Sequence, residues 1–372
     1  MSHSKFSSAG DDIYLLNHSV GRPPENSQRY LESHYFTHWQ SSNSDGWEQW
    51  LGEIDLFRAS LATLFNDQVD NFCPQTNLSS GLSKILSSLP VNPERRVIIY
   101  NQDDFPSMGF VLMQAEKAGY KLRCIPSEQS ALQLDTWAKH MKNDCAAVLI
   151  THVHSNTSTQ VDVAGICALA RDKDIVSIVD IAQSAGVIPI DIQAWLPDFI
   201  LGSCVKWLCG GPGAGYLWAN PDIIERCTPS DVGWWSHSNP FEFDIHHFEY
   251  ASGALRFWGG TPSVMPYVIA TNSIETILQV GVDVIRQHNL KLTKKILHRL
   301  GYNISLTPDK SEQRGGTLVL NFADKQTDVI NSLESAQVRF DARATGLRLS
   351  PHIYNSEHEI DAVVECIDSA TR

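Results

Sequence analysis

Two ionisable residues stand where buried chemistry would need them. Asp180 closes the apolar run VSIVD (176–180), and Lys206 follows a second such run, DFILG (198–202). A carboxylate ending a buried strand sits at the C-terminal edge of a parallel sheet, where open α/β folds bind ligands. Taken singly, each has an ordinary explanation: a strand-end cap for Asp180, a solvated cation for Lys206. The setting of Lys206 speaks against the second, because it lies between apolar runs and just ahead of Gly210-Gly211-Pro212-Gly213. One amine and one carboxylate are what pyridoxal 5'-phosphate (PLP) asks of a protein. The amine forms the Schiff base, and the carboxylate keeps the pyridine nitrogen protonated so that the ring acts as an electron sink. The pair predicts a PLP site with Lys206 and Asp180 as its catalytic residues.

The elements that would position this pair are legible as a pattern. RVIIY (96–100), AAVLI (146–150), VSIVD, DFILG and AGYLW (214–218) read as strands. Helical patterns lie between them, such as VDVAGICALARDK (161–173), apolar at 163, 166, 167 and 170. Strands alternating with helices imply crossover connections and a mostly parallel sheet flanked by helices, an α/β fold. Residues 264–300 read as one long or broken helix. GGTLVLNF (315–322), GLRLS (346–350) and a helix near 356–369 give the C-terminal segment an α+β character. The expected division is an N-terminal segment 1–45 over the active site, a large PLP-binding domain 46–263, and a linker helix with a small domain over 264–372.

As a pattern, Asp180-Ile181-Ala182-Gln183-Ser184-Ala185-Gly186 followed by Lys206 and Gly-Gly-Pro-Gly resembles the class V aminotransferase superfamily of PLP enzymes (fold type I), and within it the kynureninase-like branch. YLLNHSVGRPP (14–24), GWEQWL (46–51), DDFPS (103–107), GWWSHSNPFEFD (233–244), GGTP (259–262) and GLRLSPHIYN (346–355) match it in collinear order. The resemblance implies roles residue by residue. Phe105 would stack on the pyridine face. Ser79 and Ser80 would open a helix whose N–H groups face the phosphate, as helix N-termini favour, although an ordinary N-cap accounts for the segment equally well. Ser203 would also reach the phosphate, and Gln183 the phenolic oxygen. Trp234 and Thr261 would reach the phosphate of a neighbouring subunit, which implies a homodimer with active sites at the interface. Arg348 would hold the substrate α-carboxylate with its planar fork, with Asn156, His18 and Ser19 nearby. The chain departs from kynureninases at Val205, where they carry Tyr, at Gln183, where they carry His, and at Ser107-Met108, where they carry Asp. These losses weaken the case for kynurenine hydrolysis, which needs positioned proton donors, but not for PLP binding. Transamination, epimerisation and elimination remain open on this fold.

Other classes are disfavoured. A cysteine desulfurase needs a nucleophilic Cys shortly before the carboxylate-binding Arg, and residues 228–365 contain none. GGPGAG (210–215) lacks the spacing and the strand-to-helix setting of a dinucleotide fingerprint. His152, His154, His237, His246 and His247 show no His-Glu-x-x-His spacing, so no metal is expected. A non-catalytic PLP-binding protein would be expected to lack Lys206 or Asp180. The net charge of -13 argues against nucleic acid. With no apolar run of membrane-spanning length and no signal-peptide pattern at the start, a cytoplasmic enzyme free of membranes is expected. Eight cysteines without a Cys-x-x-Cys pair read as reduced thiols.

Overall fold

The computed structural model describes residues 5–41, 45–90 and 92–372. Among them are twelve strands: β1 (Ile13–Tyr14), β2 (Phe72–Gln75), β3 (Val97–Asn101), β4 (Lys121–Ile125), β5 (Cys145–Thr151), β6 (Val176–Asp180), β7 (Phe199–Ser203), β8 (Gly215–Ala219), β9 (Leu318–Leu320), β10 (Val338–Arg339), β11 (Asp341–Arg343) and β12 (Gly346–Leu349). Seven of them form a sheet in the order β2-β8-β7-β6-β5-β3-β4. β8 alone is reversed, antiparallel to both β7 and β2, and the remaining pairs are parallel. The reversal follows from the chain between β7 and β8, which holds no helix and is too short for a crossover.

Side chains alternate between two cores. Val97, Ile99, Val148, Ile150, Val179 and Ile200 enter one, while Ile98, Ala147, Leu149, Ile178, Phe199 and Leu201 enter the other. Burial on both faces is why these strands read as continuous apolar runs. The two edge strands escape that signal. β2 contains Pro74, which an edge tolerates because no ladder N–H is needed there. β4 (KLRCI) carries charge along the opposite edge, where it discourages pairing with another chain.

The 264–300 stretch is two helices, Met265–Val280 and Val282–Leu300, bent by 76°. The break falls at Gly281, whose φ of 91° is open to glycine at little cost. A third core gathers Leu15, Leu292, Ile296, Leu318, Leu347, Leu349, Val363 and Ile367. It lies around the antiparallel sheet β11-β12-β9 and the helices Val282–Leu300, Gln326–Ser335 and Glu357–Thr371. The last helix starts with a capping box between Ser356 and Glu359. The N-terminal strand β1 pairs in parallel with β10, so both ends of the sequence meet in this unit. No single helix among the described residues is long and apolar enough to cross a membrane.

Candidate active site

Asp180 ends β6 and Lys206 follows β7, so two neighbouring parallel strands deliver both to the same C-terminal edge. They line one cavity of about 180 Å³ together with Asn77, Ser79, Phe105, Thr151, Ser155, Gln183 and Ser203. The Nζ of Lys206 lies 5.6 Å from the Phe105 ring centroid. Burial lowers the Lys206 pKa, Asp180 opposes this, and the guanidinium groups of Arg348 and Arg343 add to it. Burial also raises the Asp180 carboxyl, against the Ala182 N–H, which donates to its Oδ1 at 2.8 Å, and the charge of Lys206. An amine whose charged form burial disfavours, beside a buried carboxylate, is a pair matched to a cofactor that supplies an electrophilic carbon and a basic ring nitrogen.

The other residues expected at the site fall into three groups. Ser79 and Ser203 line the cavity, and the helix Leu78–Ser88 begins there with Asn77 as its N-cap. The Ser80 N–H is taken by Asn77 Oδ1 at 2.9 Å, and Ser80 lies off the cavity wall. Gln183 lines the cavity, but its amide is also committed to protein: it accepts from Trp207 Nε1 at 3.2 Å and donates to the His18 carbonyl at 3.1 Å.

A second group lies beside the cavity. Arg348 is 3% exposed. Its Nε donates to Asp341 Oδ2 at 2.6 Å and its Nη1 to the Ser155 carbonyl at 3.1 Å. Asn156 accepts from Arg343 Nη1 at 2.8 Å. The buried His18 pairs through Nδ1 with Ser350 Oγ at 2.5 Å. Burial pulls its pKa down to about 4. Ser19 is exposed, its N–H turned to the Leu16 carbonyl. The segment carrying His18 and Ser19 is pinned to the lysine loop, where the Gly21 N–H donates to the Val205 carbonyl at 2.9 Å. A Cβ on Gly21 would stand 2.2 Å from the Lys206 carbonyl, so only glycine permits this approach.

The third group is Trp234 and Thr261, which lie away from the cavity within one chain. Trp234 packs against Trp235 at 4.7 Å between ring centroids and against Phe241 at 6.0 Å, and Thr261 is exposed.

Sequence reasoning passed over Asp104, Asp341 and Arg343, and weighed His154 only as a metal ligand. Asp104 Oδ1 and His154 Nε2 are buried, lack hydrogen-bond partners and stand 3.9 Å apart. The Oγ atoms of the cavity-lining Thr151 and Ser155 are likewise unpaired, which marks a polar wall suited to water. Burial lifts Asp104 to about 7 and lowers His154 to about 4. Asp104 sits in the quoted DDFPS, directly before Phe105, so adjacency was the available signal.

The amine, the carboxylate, the aromatic face and a helix N-terminus in one cavity define a PLP-dependent enzyme of fold type I, and this donor set fits that cofactor. Comparison with known proteins gives the family: residues 76–363 match the model of Aminotransferase class-V, and the chain belongs to it. It is 28% identical to a kynureninase of Deinococcus radiodurans over 78% of this chain and 71% of that one. It is 24% identical to the uncharacterized aminotransferase YcbU of Bacillus subtilis over 87% of this chain and 86% of that one. Among solved structures, a C-DES mutant with glycine covalently linked to its PLP cofactor superposes with a TM-score of 0.87 at 18% identity, covering 98% of each chain. The cysteine desulfurase of Thermococcus onnurineus superposes with a TM-score of 0.85 at 19% identity, covering 97% of this chain and 94% of that one.

Proposed function

We propose that the chain is a kynureninase-like enzyme, acting as a cytoplasmic homodimer on an α-amino acid that need not be kynurenine. The observation that carries this reading is the convergence of Lys206, Asp180 and Phe105 on one cavity with Arg348 beside it. Lys206 would hold the cofactor's aldehyde carbon, Asp180 its ring nitrogen, and Phe105 its ring face. Ser79, Ser203 and the first N–H groups of the Leu78–Ser88 helix would take the phosphate, joined by Trp234 and Thr261 of the partner copy. PLP, when bound, acidifies the substrate Cα proton by delocalising the charge left behind.

The chain's own residues do the rest. Arg348 orients the substrate through its carboxylate, since a planar fork fixes direction as well as position. Lys206, once its nitrogen is free, removes the Cα proton, and its lowered pKa leaves more neutral amine available near neutral pH. The N-terminal segment around His18, fastened by Gln183 and Val205, limits water on the substrate side.

Transamination is the second reading. It is favoured by Val205, which stands where kynureninases carry Tyr, and by Ser107-Met108, which stands where they carry Asp. Desulfuration is disfavoured because no cysteine lines the cavity. The test is to incubate purified holoenzyme with a panel of α-amino acids and follow the visible cofactor band and the products. Side-chain cleavage supports the kynureninase-like reading, and accumulation of the pyridoxamine form supports transamination. A cofactor band that no amino acid perturbs rejects both.

A further inference from the structure

One carboxylate oxygen next to the cavity is crowded by nitrogen. Asp341 Oδ2 lies 2.6 Å from Arg348 Nε, 2.5 Å from Arg348 Nη2, 3.4 Å from Arg343 Nε and 3.8 Å from His18 Nε2. β11 and β12 make this possible, because their antiparallel register sets Asp341 directly opposite Arg348. His18 and then Arg348 hold the Asp341 carboxyl well below the usual range, so it is ionised at any working pH. His18, brought to about 4 by burial, is neutral near pH 7 and adds no charge. Both arginines depress the Lys206 pKa, so their field reaches the reacting end of the site.

Two consequences follow from counting donors and charges. Arg348 spends its Nε edge on Asp341 and one Nη1 hydrogen on the Ser155 carbonyl. A guanidinium has five N–H donors, so its two terminal nitrogens each keep one donor for a ligand. Asp341 thus holds the fork in place without consuming it. The arginines contribute two positive charges and Asp341 removes one, leaving a single uncompensated charge. One substrate carboxylate neutralises it. A second carboxylate would bring an excess negative charge beside the half-buried Asp341 carboxylate, and like charges held close are disfavoured.

Resting on the reading of Arg348 as the α-carboxylate site, we propose that Asp341 is a specificity-determining and positioning residue that restricts the enzyme to α-amino acids with an uncharged side chain. It does so by balancing Arg343 and excluding a second acid. In the wild type, asparagine and glutamine should perturb the cofactor band at lower concentration than aspartate and glutamate, by at least tenfold. Asp341→Asn keeps an oxygen to accept from Arg348 while removing the charge. It should lower the half-saturating concentration of aspartate and glutamate at least tenfold and move the ratio between acid and amide forms towards the acids. Asp341→Glu should restore the wild-type preference, which a merely structural role would not predict.

The wild-type panel stands even where a variant fails to fold. Arg343→Gln, by removing a cation, should weaken every carboxylate ligand. A wild type that prefers aspartate or glutamate, or an Asp341→Asn protein with an unchanged ratio, overturns this inference and leaves the proposed function intact. A wild type whose cofactor band answers to no α-amino acid overturns the proposed function and this inference with it.

Discussion

Two aromatic-rich regions of the chain are built in opposite ways. Beside Lys206, Trp207 has no exposed surface and donates to Gln183, while Phe105 at the cavity is 40% exposed. In the segment 232–250 Trp235 is buried, but a set of apolar side chains faces outward, with Phe243 73% and Ile245 91% exposed, and Phe241, Phe248 and Val232 also open. The first region is complete within one chain. The second leaves an apolar surface of the kind that soluble proteins cover with a partner. It also carries Trp234, the residue we assign to the partner's phosphate. On the homodimer proposed above, the single chain builds the floor of its site, and the outward segment is what a second copy would complete by two-fold symmetry.

The sharpest break of this comparison comes from the floor. Lys206→Ala should abolish turnover and the borohydride-stable cofactor adduct while leaving the sedimentation coefficient unchanged. A reducible adduct persisting in the variant would remove the cofactor assignment. Arg348→Ala comes next. Truncating one partner of a buried charge pair costs about 2–5 kcal/mol, and each 1.4 kcal/mol is about tenfold. kcat/KM should therefore fall at least tens-fold. Arg348→Lys should recover only a fraction, since an ammonium cannot reproduce the fork. A kinetically silent Arg348→Ala would sink the carboxylate assignment.

A smaller effect is expected from the outward segment. Phe243→Asp combined with Ile245→Asp places charges on a surface that would be dry in a dimer, at little cost to the isolated fold because both side chains are exposed. The variant should sediment increasingly as a monomer and lose activity in proportion, with its far-UV spectrum unchanged. A fully active monomer would show that Trp234 has no role across an interface.

The same contrast explains what the sequence could reveal. Strands buried on both faces carry an unmistakable apolar signature, so β3, β5, β6, β7 and β8 were legible to within a residue or two. The edge strands carry no such signature: β2 is buried throughout but holds Pro74 and Gln75, and β4 carries Lys121 and Arg123 on a partly exposed edge. Lys206 and Asp180 were legible because chemistry dictates their types and strand ends their places. Asp341 and Arg343 were not: their proximity to Arg348 comes from the antiparallel register of β11 on β12, which sequence spacing states only once the hairpin is known. Gln183 shows the converse. Its position in the motif is plain, yet its amide fastens Trp207 and the His18 segment, a job that only the packed structure displays.

The smallest effect concerns the enclosed side and its response to acid. His352 is fully buried, its ring centroid 5.7 Å from Phe6, 6.0 Å from Trp207 and 5.0 Å from Tyr354. Neither ring nitrogen meets a partner at hydrogen-bond geometry, and the Trp207 backbone lends only weak support to the charged form. Burial therefore lowers its pKa from 6.5 to about 3. The unfolded chain binds a proton that the folded chain refuses, so stability rises with pH across that interval. The contribution is fully present above about 6.5 and is lost as pH falls towards 3. His18, His152 and His154 are lowered by burial in the same direction. Asp104, raised to about 7, acts in the opposite sense, favouring the folded state as pH falls from 7 towards 3.8. Asp180 and Asp198, also raised by burial, act with Asp104 and offset part of what the histidines lose in acid. His352→Phe keeps an aromatic ring in an aromatic cage while removing the proton site. At pH 7.5 it should change the melting temperature little. At pH 4.5 it should hold back on the order of 2 kcal/mol of the acid destabilisation, since each pKa unit is about 1.4 kcal/mol. Thermal melts of the two proteins at both pH values measure this directly. Equal acid destabilisation in both would show that His352 is not buried in its neutral form.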